Sequence, residues 1–188
     1  MTEIRFRPLR QDDLPLLHDW LQREHVRRWW GWDVGGLEQT EAHYLPALRG
    51  EEPTELYVLV VDGRDAGMLQ TYFAVDYPEW EAVVHVGPGV SGVDILIGEE
   101  SLVGRGLGPR VLDAFVREHV RGHAVVATVE EGNRRSWRAF EKAGFVHVRD
   151  VEEEGKPHRL MRRDGLPTPS DPPSRPSASR RHEVATDT

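Results

Sequence analysis

The chain has 188 residues, enough for one α/β domain with a substantial core and little beyond it. It carries no cysteine, which excludes a disulfide scaffold, a thiolate metal site and a cysteine nucleophile, so any acyl transfer has to proceed without a cysteinyl intermediate. The balance of 24 basic against 32 acidic residues gives a formal charge of −8, which disfavours nonspecific nucleic-acid binding and suits a cationic ligand, although acidity also serves plain solubility. The opening residues lack an apolar signal core, and the longest apolar run, Leu56 to Val61, is too short to cross a bilayer. A soluble, cytoplasmic protein with no membrane partner is the expectation.

Ile4 to Pro8 alternates apolar and basic residues and reads as a strand. Asp12 and Asp13 then precede Leu14, Leu16, Leu17, Trp20 and Leu21, the spacing of an amphipathic helix. A weaker helical pattern covers 37–48. Glu55 to Val61 and Ala66 to Phe73 are β-rich and flank Asp62-Gly63-Arg64-Asp65, which has hairpin turn chemistry. Val93 to Ile97 is a further strand. After a glycine-rich loop, Leu107 to Val120 is helical, Val125 to Val129 a short buried strand and Arg134 to Ala143 a helix that stops before Gly144. Phe145 to Val151 and His158 to Arg163 form a closing pair. From Gly165 the chain is rich in Pro, Ser and Arg and nearly empty of large apolar residues, so 165–188 is expected to be a disordered tail beyond a domain at 1–164. The tail's three arginines balance its three acids, so the whole −8 belongs to the domain.

Two places carry chemistry. Val103-Gly104-Arg105-Gly106-Leu107-Gly108 stands between a strand and a helix, where glycines let the backbone approach a ligand and the first helical amides face an anion. It reads as a pyrophosphate cradle or as a structural turn; it has no Gly-Lys-Ser/Thr and so is not a P-loop. Pro109 fits a helix's first turn. Asp94 interrupts the apolar run Val93-Asp94-Ile95-Leu96-Ile97. Inside a strand that faces a core its pKa would rise, suiting a general base or an anchor for an ammonium group; at the strand's solvent face it would be unremarkable in role.

The loop resembles the acetyl-CoA loop of the GNAT superfamily of N-acetyltransferases, Q/R-x-x-G-x-G/A, with the pattern's glycines on Gly106 and Gly108. Asn133-Arg134-Arg135-Ser136-Trp137-Arg138-Ala139-Phe140-Glu141-Lys142-Ala143-Gly144-Phe145 is similar to a second GNAT block that follows at the family's usual distance. The resemblance implies an α+β GNAT fold with a mixed, mostly antiparallel sheet flanked by helices, acetyl-CoA as cosubstrate and direct transfer to an amine. It assigns the cofactor to Ile97, Val103, Gly104, Arg105, Gly106, Leu107, Gly108, Asn133, Ser136 and Phe140, with a backbone amide near Ile97, beside a bulge, polarising the acetyl carbonyl. Two positions depart from the pattern: Val103 replaces its Gln or Arg, and Phe140 the tyrosine that usually protonates the departing thiolate.

Trp29-Trp30-Gly31, Tyr44-Leu45-Pro46, Gln70 with Tyr72, and Gly92-Val93-Asp94 look like the branch containing aminoglycoside 6′-N-acetyltransferases. That branch implies a small cationic amine, an aminoglycoside, as substrate, and Asp94 as base or amine anchor. Trp29, Trp30, Tyr72 and Glu79 are expected to line its pocket, with Trp32, Tyr77, Trp80 and Glu81 in the same aromatic and acidic set. Another small amine, such as a hydroxylysine siderophore precursor or a nucleoside antibiotic, and a catalytically idle acyl-CoA-binding module stay open as alternatives. No metal is expected, since Gly122 separates His119 from His123. A monomer and a homodimer are equally compatible with the sequence.

Overall fold

A computed structural model describes residues 2–30 and 35–165. Gly31, Trp32 and the Pro/Ser/Arg-rich segment from Leu166 lie outside the described residues. The chain opens with β1 (Ile4–Pro8), α1 (Leu14–Gln22), the one-turn α2 (Glu24–Arg27) and α3 (Leu37–Leu48). The hairpin of β2 (Glu55–Val61) and β3 (Arg64–Phe73) turns on Asp62 and Gly63, both at positive φ, as a two-residue type I′ connection requires. Then come α4 (Pro78–Val84), β4 (Val90–Ile97), α5 (Leu107–Glu118), β5 (Ala124–Glu130), α6 (Arg134–Lys142) and the closing hairpin of β6 (Val146–Glu153) and β7 (Lys156–Asp164). The strand expected from Val93 begins at Val90, because Val90, Ser91 and Gly92 are paired with β5 although two small residues weaken their β signal. The short helices α2 and α4 lack a sequence signature because four and seven residues are too few to display a helical repeat.

Seven strands make one sheet in the order β1-β2-β3-β4-β5-β7-β6, antiparallel at every junction except β4–β5. Alternation divides their side chains between two faces. On one face Leu59, Leu69, Val93, Val125 and Met161 join Phe115 of α5 and Trp137 of α6 in a single large core. The other face carries two cores. Val58, Met68 and Leu96 pack against Leu17, Trp20 and Tyr44 of α1 and α3, while Val90, Ala124, Val126 and Leu160 pack against Val84 of α4. Each fully buried side chain of this size stabilises the fold by roughly 1.5–3 kcal/mol, which fixes the helices over these two patches.

Between the patches, the positions that face the same way are Gln70, Asp94, Thr128 and His158, one from each of four neighbouring strands. A polar strip offers little to bury, so it is left as the floor of a chamber. Arg7 pins this arrangement at its edge: it reaches Asp13 and Asp65 at 2.7 Å each, tying the start of α1 to the β2–β3 hairpin, and holds the Asp13 carboxyl below the usual carboxylate range.

Candidate active site

β4 and β5 pair only at Val90–Ala124, Ser91–Val125 and Gly92–Val126, and then separate. The β3–β4 register runs unbroken from Gly67–Ile97 to Phe73–Ser91, and just past Ile97 the Gly98 and Glu99 amides both donate to the Ala66 carbonyl, at 2.8 and 3.1 Å, a bulge-like end to β4 beside the place where it splays from β5. Gly98 N–H donates to the Ala66 carbonyl at 2.8 Å, which sets the alternation: amides of Asp94 and Leu96 face β3, and those of Ile95 and Ile97 face the gap. On the same open edge the Ile97 carbonyl accepts a hydrogen bond from His25 Nε2 at 3.0 Å. The gap joins two cavities on opposite faces of the sheet.

The larger cavity, a cleft of about 910 Å³, lies toward α5 and α6. Gly104 and Gly106 take φ of 81° and 74°, a region that costs other residues about 1–2 kcal/mol, and Gly106 immediately precedes α5. The amides of Leu107 and Gly108 are therefore the open first donors of that helix. A Cβ on Gly108 would sit 3.4 Å from the Ala139 Cβ, so α5 and α6 approach closely beside the loop. Asn133 Oδ1 accepts from the Ser136 amide at 3.2 Å and caps α6. Arg28, Arg134, Arg135, Arg138 and Lys142 gather along this cleft, a local excess of positive charge in a chain of net charge −8.

The smaller cavity, a chamber of about 310 Å³, has the polar strip as its floor. Asp94 accepts from Gln70 Nε2 at 2.9 Å and from the Tyr72 hydroxyl at 3.2 Å, both on Oδ2. Tyr72 lies over β4 because Gly92 is its cross-strand partner: a Cβ there would fall 2.6 Å from the Tyr72 ring. Burial raises the Asp94 carboxyl above the usual carboxylate range; the hydrogen bonds from Gln70 and Tyr72 oppose the rise, and the charge of Glu153 adds to it. Burial first, then the Asp94 charge, pushes the Tyr72 phenol well up, so it stays a donor. Glu130, Glu153 and Glu154 stand on the chamber wall, Glu130 paired with Lys156 at 3.2 Å and Glu153 with its Oε2 buried and unbonded within the described residues. Trp30 Nε1 donates to the Tyr44 hydroxyl at 3.1 Å, fixing one wall, and burial lowers the pKa of His43 on another.

Of the residues expected at the cofactor, Ile97, Val103, Gly104, Gly106, Gly108, Asn133, Ser136 and Phe140 line the cleft. Arg105 and Leu107 do not line it: the Arg105 side chain is exposed and Leu107 is buried in the core, its backbone N–H being the first of α5. Phe140 is buried edge-to-face on Phe145, with ring centroids 5.0 Å apart. Of the acceptor set, Trp29, Trp30, Tyr72 and Asp94 line the chamber together with Trp80. Glu79 does not: it is exposed on α4, which turns Trp80 inward and Glu79 outward. Glu81 bonds the Gly87 amide at 2.8 Å, and the Tyr77 hydroxyl meets that of Thr54. Glu153 and Glu154, next to a Gly in a hairpin, carry only a turn signal in sequence; the strand parity that aims Glu153 at Asp94 emerges from pairing with β7. Among the described residues no His, Asp and Glu group is arranged to hold a metal, and His119 instead packs with Phe6, Tyr57 and Phe115.

Residues 10–153 match the family model described as an acetyltransferase (GNAT) domain. Two curated proteins named aminoglycoside N(6′)-acetyltransferase type 1, from Klebsiella pneumoniae and Serratia marcescens, are each 31% identical over 149 residues, covering 76% of this chain and 73% of the relative. Among solved structures, aminoglycoside acetyltransferase AAC(6′)-Ib in complex with coenzyme A superposes with a TM-score of 0.78 at 29% identity, covering 86% of this chain and 95% of that one. The same enzyme with coenzyme A and kanamycin gives a TM-score of 0.77 at 28% identity, with 86% and 95% covered. No helix among the described residues is long and apolar enough to cross a membrane.

Proposed function

This chain belongs to the GNAT acetyltransferase family, and within it we propose that it transfers acetyl from acetyl-CoA to a primary amine of an aminoglycoside, at the 6′ position. The observation that carries the reading is Asp94: a half-buried carboxyl of raised pKa, oriented by Gln70 and Tyr72, on the floor of an acid-walled chamber that opens through the sheet onto a glycine-loop cleft. Structures of similar proteins hold coenzyme A and aminoglycosides, which supports both halves of the assignment.

The cleft suits acetyl-CoA chemically. Amides of Leu107 and Gly108 at the start of α5 would receive the pyrophosphate, Arg134, Arg135 and Lys142 its remaining phosphate charge, and the gap-facing edge of β4 the pantetheine arm. When bound, acetyl-CoA supplies an activated acetyl thioester. The N–H groups of Ile95 and Ile97 are preorganised donors for the acetyl oxygen, needing no reorganisation as its charge grows. Asp94 accepts the proton that the attacking amine must lose, a task that matches a carboxyl whose pKa has moved toward neutrality. Glu153, with one oxygen unbonded among the described residues, and Glu154 offer further anchors for a molecule carrying several ammonium groups. Trp29 and Trp30 provide aromatic faces for sugar rings.

The test is an acetyl-CoA consumption assay against aminoglycosides with and without a 6′-amine, polyamines and hydroxylysine, with the acetylated nitrogen located by NMR. Turnover confined to 6′-amino aminoglycosides is the expected result. Turnover of hydroxylysine alone, or thioester hydrolysis without an amine product, would replace the reading.

A further inference from the structure

We propose that Ser136 is a catalytic residue of the transfer, its hydroxyl donating a hydrogen bond to the coenzyme A sulfur as the thiolate departs. The inference rests on the acetyl-CoA reading above. Trp29, Trp30, Ile95, Asn133, Ser136 and Phe140 line both the cleft and the chamber, so the acetyl group crosses from donor to amine where they meet. Sulfur acquires its negative charge at that junction, between aromatic rings and an isoleucine, where an anion without a donor is costly.

The junction holds few candidates for that donor. Phe140 has no proton to give, the Trp30 indole N–H is committed to Tyr44, and the Ile95 amide serves the carbonyl side. Trp29 turns its benzo edge to Gly132, and Asn133, although its Nδ2 keeps its donors, is held in the α6 cap through its accepting Oδ1. Ser136 is the one hydroxyl among these residues. It stands one helical turn before Phe140 on the same side of α6, half-buried, and its Oγ bonds to no other described residue. Its backbone amide, bonded to Asn133, fixes where that hydroxyl sits.

Nitrogen forms the C–N bond to the acetyl carbon, the C–S bond breaks with its electron pair left on sulfur, and the surplus ammonium proton passes to the Asp94 carboxylate. A serine hydroxyl is a far weaker acid than a thiol, so Ser136 keeps its proton and stabilises the thiolate by hydrogen bonding alone. Asp94 then returns its proton to solvent.

Three forms of the full chain test this: wild type, Ser136→Ala and Ser136→Thr. The thiol of bound, unacetylated coenzyme A is titrated by the ultraviolet absorbance of its thiolate, and acetyl transfer is followed in a single turnover. In Ser136→Ala the bound thiol should titrate about one pH unit higher, and the transfer rate should fall about ten- to hundredfold, with acetyl-CoA affinity held within about twofold. Ser136→Thr should restore both. Since Oγ bonds to no other described residue, the alanine variant should melt with wild type. A rate loss without a change in thiol titration, or wild-type values for both, overturns the proposal. A wild-type chain that binds no coenzyme A overturns the acetyl-CoA reading itself, an outcome seen before any variant is made.

Discussion

The cleft and the chamber share six residues, yet they are built from different material. The cleft is mostly backbone: a loop with two glycines at positive φ, the first amides of α5 and the edge that β4 exposes where β5 leaves it. The chamber is mostly side chain, its floor taken from four strands and its walls from α3, α4, the end of β6 and the tryptophans after α2. A surface made of backbone tolerates most substitutions that preserve its dihedral angles. A surface made of side chains changes with each one. One scaffold can thus hold a fixed donor and still be adapted to a particular acceptor.

The largest test of this contrast is Asp94→Asn, which keeps the shape of the chamber and removes its base. Turnover should fall about 10²–10⁴-fold, with coenzyme A affinity unchanged by calorimetry, and recover in part at alkaline pH as more of the amine becomes neutral. Stability should move the other way. The folded carboxyl has a pKa above its unfolded value, so raising pH through the interval between the two withdraws stability, and above that interval the charged group weakens the fold in full. Asn removes this cost: the variant should melt at or above wild type at neutral pH and lose the advantage below about pH 4, where both forms of Asp94 are protonated. A variant with wild-type turnover and an unshifted pH profile would detach Asp94 from the chemistry.

Gly106→Val attacks the backbone half. Its Cβ would meet nothing within 4 Å, but φ of 74° is strained for a branched residue, so the loop would relax at a cost of about 1–2 kcal/mol and coenzyme A affinity should fall about tenfold or more. Unchanged affinity would remove the loop from the cofactor site. Glu153→Gln should raise the KM for a polycationic acceptor about three- to tenfold, leaving coenzyme A affinity and kcat close to wild type. The smallest effect is expected from cutting the chain after Gly165. Among the described residues no core residue lies beyond Met161, and the residues removed include few large apolar side chains, so melting temperature and turnover should match the full chain.

Residues close in sequence made the cleft legible before any fold was known. Gly104, Gly106 and Pro109 specify a turn into a helix by their own conformational limits, and Asn133 caps α6 through a bond to a residue three positions on. Asp94 was legible for a related reason: a carboxylate in an apolar strand is anomalous whatever surrounds it. The acceptor wall was not. Glu79 and Glu153 are equally acidic in sequence, and their places differ because α4 turns one outward while β6 pairing aims the other at Asp94.

Sequence alone therefore determined the α+β plan, the glycine loop, the capped helix and the odd carboxylate, all set by local propensity and by the alternation of apolar residues. Tertiary structure decided the rest. The splay of β4 from β5 frees the Ile95 and Ile97 amides, and the absence of a Cβ on Gly92 lets Tyr72 reach Asp94. The gap in the sheet brings Ser136 of α6 and Asp94 of β4 to the wall of one chamber. Each depends on which strands neighbour one another and where their pairing ends, a matter of long-range packing that no short stretch of residues encodes.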